Sequence, residues 1–145
     1  MTAADAIFDR LESAVMLTPE EIQAATVETF LDIGLSRSKA QTLDALAMEW
    51  RDNGWTQDYF SSLDNPAVIE TLTAIRGVGP WTAKMALMFG LGRPDVWPIE
   101  DLGIRRGMES LFDDELDRAN MIGRAEGWRP YRSVAALHIW EFSDE

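Results

Sequence analysis

The feature that most constrains this chain is the run Leu72 to Ala83, where an apolar helical segment meets Gly77-Val78-Gly79 and a second helix begins at once with Pro80-Trp81-Thr82-Ala83. Val68, Ile69, Leu72 and Ile75 recur at helical spacing ahead of the bend. Glycine at 77 and 79 allows a tight reversal with positive φ and a close backbone approach. Pro80 suits the first turn of the second helix, where its missing N–H costs nothing. The expected product is a short hairpin of two helices over residues 68–91. Backbone N–H groups would point outward at a helix start, which is a site for a phosphate whatever base it carries. About twenty residues further on stands Asp101, an acid among apolar or small neighbours (Ile99, Leu102, Gly103, Ile104) and followed by Arg105-Arg106.

The rest of the chain reads as helices. Asp5 to Val15 carries Ile7, Phe8, Leu11 and Val15 on one face. Thr18-Pro19-Glu20-Glu21 is a cap, a first-turn proline and two first-turn acids, opening a helix to about Ala25. Val27 to Ile33 is short and stops at Gly34, and Ser36 to Arg51 is long and amphipathic. Thr56 to Leu63 supplies one or two turns, and Asp64-Asn65-Pro66 caps the first hairpin helix. Thr82 to Leu91 is almost wholly apolar and predicts a buried helix. Pro94 and Pro98 keep Asp95 to Ile99 extended. Residues 100–143 then hold the last helices: Glu100 to Phe112 with Asp101 in its first turn, Asp114 to Gly127, and Pro130 to Phe142 before an acidic tail. Nothing alternates with period two for long enough to predict a sheet. The expectation is an all-α fold, one compact domain over residues 1–145 built from eight to ten short helices.

Three blocks in order and spacing resemble the helix-hairpin-helix DNA glycosylases of base-excision repair (the HhH-GPD superfamily), and most closely the AlkA-like 3-methyladenine branch. Leu72 to Ala83 resembles the family hairpin, L-x-x-I-x-G-[VI]-G-x-W-T-A. Asp95 to Arg105 is similar to D-V-[FWL]-P-x-x-D-x-x-[IV]-[RK]. Trp128 to Trp140 is similar to W-[RK]-P-[YW]-R-S-x-A-x-x-[HY]-[IV]-W. The resemblance implies a monofunctional glycosylase that excises alkylated purines of the 3-methyladenine type from damaged double-stranded DNA by hydrolysis. The alternative is a non-catalytic or inactive helix-hairpin-helix DNA-binding remnant, and a third reading is a helical protein with no nucleic-acid role.

Asp101 is the expected catalytic residue. Breaking an N-glycosidic bond builds positive charge on C1′, and a fixed carboxylate nearby stabilises that charge and aligns water. Its position also suits a helix N-cap, and one residue can do both. Members that also nick the strand place a lysine where this chain has Trp81, so no lyase activity is expected, and Lys84 is a poor substitute. Trp81 and Trp140 read either as core or as walls of a base pocket, stacking on cationic alkylated purines. Gly77, Val78, Gly79 and Thr82 would contact phosphate. The carbonyls of Ile75 and Val78 would hold a monovalent cation, Na or K, as family hairpins often do. Arg105 and Arg106 read as phosphate contacts or as partners of nearby acids. His138, on a largely apolar segment, is expected to be buried and hydrogen-bonded rather than a base. Asp95 is expected to cap or pair locally.

Composition sets further limits. Cysteine is absent, which excludes disulfides and the four-cysteine iron–sulfur cluster of some relatives. No apolar run is long enough to cross a membrane, so cytosolic residence is the default (nucleoid-associated, or nuclear in a eukaryote). A net charge of −12 opposes nucleic-acid binding. Two lysines against eleven arginines and 25 acids resemble a halophile protein, whose surplus acid solvates it in a salty cytoplasm. That explanation is favoured because Arg76, Lys84, Arg93, Arg105, Arg106, Arg129 and Arg132, seven of the thirteen bases, gather near the motifs. The family's additional helices ahead of the region matching Asp5 to Val15, with their duplex wedge, have no counterpart in the sequence. The expectation is therefore either a natural short form or a sequence whose start has been lost or misplaced, with apolar surface on the hairpin helices partly uncovered and self-association or low stability favoured.

Overall fold

Caps written into the sequence set where the helices begin. In the computed structural model, which describes residues 2–112 and 116–143, Thr2, Thr18, Thr26 and Ser36 each accept a hydrogen bond from the amide three residues on. Thr2 and Asp5 cap each other reciprocally. Substituting such a cap by alanine typically costs about 0.5–2 kcal/mol. The helices that follow are α1 (Ala3–Ala14), α2 (Pro19–Ala24), α3 (Val27–Asp32), α4 (Arg37–Asp52), α5 (Gln57–Ser62), α6 (Asn65–Thr73), α7 (Pro80–Met85), α8 (Leu102–Leu111), α9 (Arg118–Glu126) and α10 (Arg132–Glu141). Among the described residues the fold is all-α. The helix start expected at Asp114 and the end of the acidic tail lie outside the described residues.

The chain packs as two compact units. The first holds residues 1–62 and 71–78. Its core joins Leu11 and Val15 of the first helical stretch to Phe30, Ile33 and Ala40, with Ile22, Ala25, Leu35 and Leu43 packed against them. Burying a side chain such as Phe30 contributes about 1.5–3 kcal/mol. Trp50, Trp55, Tyr59 and Phe60 form an aromatic cluster, with Trp50 and Trp55 at 5.4 and 5.2 Å from the Phe60 ring.

The second unit holds residues 63–70 and 79–145. Val68, Ala83, Leu87, Ile104, Met108, Ala125 and Ala136 are fully or almost fully buried in it. Residues 94–99 run without helix, as the flanking prolines require, and Val96 to Ile99 are buried. Ser133 fastens this stretch to the start of α10. Its Oγ donates to the Arg93 carbonyl (2.7 Å) and accepts from the Val96 amide (2.9 Å), while its amide donates to the Pro94 carbonyl (2.9 Å). Asp95 is locked beside it by the Arg132 Nε (2.7 Å) and the Arg129 guanidinium (3.0 Å). α10 lies on α8 because Gly107 has no side chain: a Cβ there would sit 2.3 Å from the Ile139 carbonyl oxygen.

The expected buried helix from Thr82 to Leu91 is corrected in two respects. α7 gives way after Met85 to a π-helical turn, Ala86–Gly90, in which the Leu91 amide reaches back five residues to the Ala86 carbonyl (3.0 Å). Leu87 and Met88 are buried, but Phe89 is 64% exposed. A π turn carries one more residue per hydrogen-bonded ring than an α turn, so the residues beyond it leave the face that the α-period assigns them.

Candidate functional site

Asp101 is the N-cap of α8 rather than a residue of its first turn, and its Oδ1 accepts from the Ile104 amide at 3.1 Å. The same carboxylate meets both predicted tryptophans. The Trp140 Nε1 donates to Oδ1 at 2.9 Å, and the Trp81 Nε1 donates to Oδ2 at 2.6 Å. Three N–H donors from α7, α8 and α10 therefore fix the position of one half-buried carboxylate. Burial by itself would raise its pKa. The indole hydrogen bonds of Trp140 and Trp81 and the amides of Ile104 and Gly103 outweigh that effect and hold the carboxyl below its ordinary value. The group is an anion facing partly open solvent, with both oxygens oriented.

Trp81 is not a core residue, since it is 46% exposed. Trp140 is half-buried, and Phe89 stacks on it with ring centroids 6.1 Å apart and planes tilted by 25°. Trp140 also presses against α8 at Gly103, where a Cβ would come within 2.9 Å of the indole Cδ1 and 3.0 Å of Asp101 Oδ1. Phe89 and Gly103 were not among the expected site residues. The π turn that presents Phe89 leaves no mark in apolar periodicity. A glycine two residues after a capping aspartate, inside a helix, is a signal that could have drawn attention to position 103.

Of the hairpin residues, Gly77 has φ +88° and a Cβ there would fall 1.9 Å from Thr42 Oγ1, so the close approach is that of a side chain. Gly79 does not share the positive φ expected of it. It is the N-cap of α7 at φ −95°, with open space where a Cβ would point. Gly77 and Thr82 are exposed, and Val78 and Gly79 are half-exposed. The Ile75 carbonyl accepts from the Val78 amide at 3.1 Å.

Arg106 is exposed, whereas Arg105 is half-buried and its Nε has no hydrogen-bond partner. Four of the seven bases near the motifs are engaged internally. Lys84 Nζ contacts both oxygens of Glu100 at 2.9 and 3.0 Å. Arg93 binds the Leu63 carbonyl (2.7 Å) and Asn65, and Arg129 and Arg132 share Asp95 and Glu126. Arg132 holds the Asp95 carboxyl below its ordinary value through a direct hydrogen bond that outweighs burial. His138 is not buried as expected. Its side chain is 71% exposed on α10, 3.8 Å from Glu141. Among the described residues no group of His, Cys, Asp or Glu is arranged to hold a metal ion.

The chain as a whole is similar to known proteins. The HhH-GPD superfamily of base excision DNA repair proteins matches residues 1–130. The chain belongs to that superfamily. DNA-3-methyladenine glycosylase 1 of Schizosaccharomyces pombe is 36% identical across 97% of this chain. A putative DNA-3-methyladenine glycosylase of Bacillus subtilis is 32% identical across 84% of it. The chain spans 65% of the first relative's length and 43% of the second's. Among solved structures, the S. pombe 3-methyladenine DNA glycosylase in complex with abasic DNA superposes with a TM-score of 0.92 at 34% identity, over 99% of this chain and 73% of that one. The DNA-3-methyladenine glycosidase of Bacillus halodurans gives 0.84 at 33% identity, over 97% and 67%. Within the superfamily, this chain is therefore similar to glycosylases named for alkylated adenine.

Proposed function

We propose that this chain is a monofunctional DNA glycosylase acting on alkylated purines of the 3-methyladenine type in double-stranded DNA, by hydrolysis of the N-glycosidic bond. The observation that carries the reading is the Asp101 carboxylate, ionised and gripped on both oxygens by the indole N–H groups of Trp81 and Trp140. As the base departs, positive charge grows on C1′. A pre-oriented carboxylate stabilises it without reorganising and aligns the attacking water. The relatives' names and the DNA-bound neighbour support the substrate class.

Trp81 offers no nucleophile for a Schiff base, and the Lys84 Nζ is occupied by both oxygens of Glu100. Both facts favour water over a lysine and thus no strand nicking. With their N–H edges turned to Asp101, the exposed Trp81 indole and the face of Trp140 that Phe89 does not cover are left to receive a flipped base. Stacking on a cationic purine contributes about 0.5–2 kcal/mol, and damaged, weakly paired bases cost least to flip. Gly77, Val78 and Gly79 bind a phosphate through their backbone, helped by the Thr82 hydroxyl. The Ile75 and Val78 carbonyls would hold a monovalent cation, Na or K, at the bend. Arg105 and Arg106 contact the backbone of the strand. Residues 1–145 work as one glycosylase domain, resident with the DNA in the cytosol or nucleus.

Asp101→Asn tests the assignment: asparagine keeps the helix cap but turns its NH2 donor toward the Trp81 N–H, so the melting temperature should fall modestly while the fold is kept. Free base released from methylated DNA should fall by about 10²–10⁴-fold, with DNA affinity retained. A D101N protein that releases base at the original rate would remove Asp101 from the chemistry. Wild-type protein that binds DNA and releases nothing would leave only a binding module.

A further inference from the structure

Gly103 lies inside α8, where alanine is the better helix former and glycine a cost. Local propensity therefore gives no reason for a glycine there. The surroundings do. A Cβ at 103 would lie 2.9 Å from Trp140 Cδ1, 3.2 Å from Trp140 Nε1 and 3.0 Å from Asp101 Oδ1. Those are the two ends of the 2.9 Å bond from Trp140 Nε1 to Asp101 Oδ1. Phe89 stacks on a face of that indole, and α10 is brought down on α8 one turn later at Gly107. Both contacts restrict how the indole can retreat.

We propose that Gly103 is a positioning residue for the carboxylate: the vacancy of its missing side chain is the space through which the Trp140 N–H reaches Asp101. Any side chain at 103 moves the indole or the carboxylate and breaks the bond between them. Asp101 then loses one of its donors and the orientation of Oδ1. Gly103 touches no substrate and acts only through Trp140 and Asp101. Its consequence for base release rests on the catalytic reading of Asp101, but the geometric claim does not.

The test is a ¹³C NMR titration of the Asp101 carboxyl in the wild type, Gly103→Ala, Trp140→Phe and the double variant, beside pH profiles of base release. Both single variants are expected to raise the carboxyl pKa. The double variant should titrate with Trp140→Phe, because a residue acting through Trp140 has nothing further to disturb once the N–H is gone. Release by G103A should fall ~10–10²-fold, the scale expected when a reacting group is misplaced, mainly in kcat, with its acid limb moved to higher pH. A G103A carboxyl that titrates with the wild type, or effects of G103A and W140F that add, would overturn the proposal. A carboxyl that moves while release stays unchanged upholds the positioning role and removes Asp101 from catalysis. Should G103A fail to fold, G103A/W140A makes room for the added methyl. Recovery of the fold supports the clash, and continued unfolding overturns it.

Discussion

Asp101 caps α8 and offers the proposed catalytic carboxylate from one side chain, and its donors are spread over both oxygens. Oδ1 serves the α8 amide of Ile104 and the Trp140 indole, and Oδ2 serves Trp81. Because the folded pKa is lowered, the stability this carboxylate contributes is fully present above its unfolded value, about 3.9. It is lost as pH falls through the lower folded value. Base release should accordingly be independent of Asp101 titration from neutral pH down to that range. Trp81→Phe removes the 2.6 Å donor, so it should raise the Asp101 pKa and move the acid limb of release upward. The indole is 46% exposed, so water partly replaces it, and the stability lost at pH 7 should be only about 0.5–1.5 kcal/mol by thermal melting. An acid limb unchanged in W81F would mean that this bond does not set the ionisation. Glu100, the carboxylate just before it in sequence, belongs to Lys84 and Arg118 instead. The sequence context of position 101 was readable, a capping site in a three-block pattern. The indole donors were not, because nothing in a linear pattern says which edge of a tryptophan faces inward.

At the scale of elements, the two glycines of the hairpin do different work and should respond differently to substitution. Gly77→Ala forces a positive φ on an alanine, at about 1–2 kcal/mol, and drives its Cβ into Thr42 Oγ1. Its melting temperature should drop by at least about 2–4 °C per kcal/mol lost, the scaling for a chain of this size. Gly79→Ser meets no atom and replaces a side-chain-free N-cap with a favourable one. It should melt at or above the wild type while weakening DNA affinity, measured by titration of a labelled duplex, because its side chain stands beside the amides assigned to phosphate. Equal DNA affinity in G79S would remove position 79 from the interface. The bend, the Pro80 start and the extended 94–99 stretch were legible because glycine and proline act through local backbone sterics. The π turn after Met85 was not, since its register is a matter of tertiary packing. His138 failed for a related reason: its apolar neighbours Val134 and Leu137 on α10 are themselves exposed, so apolar company was no guide to burial.

At the scale of the whole molecule, the proposed function requires a chain of net charge −12 to hold a polyanion. Lys84, Arg93, Arg129 and Arg132 are turned to internal partners, which leaves Arg76, Arg105 and Arg106 as the motif-side cations for phosphate. If those three supply the charge contacts, log K against log salt should have a slope of about −3, far shallower than that of a basic repair protein. A slope of −6 or steeper, read from fluorescence anisotropy across 0.05–0.5 M NaCl (about an order of magnitude, as such titrations require), would show that the internal ion pairs open on DNA. In the proposed reading, backbone amides of the hairpin would carry recognition that salt screens little, which suits a protein of this composition. The turn from Ala86 to Gly90 contains a surplus residue relative to an ordinary helix, and the segment downstream leads directly to Asp101. Remove one of those five and the stretch can close as plain α-helix, so the loss is absorbed inside the turn and the acid keeps its place. What such a deletion forfeits is the outward set of Phe89 against Trp140, which makes the surplus residue a support for the indole rather than a spacer for the carboxylate.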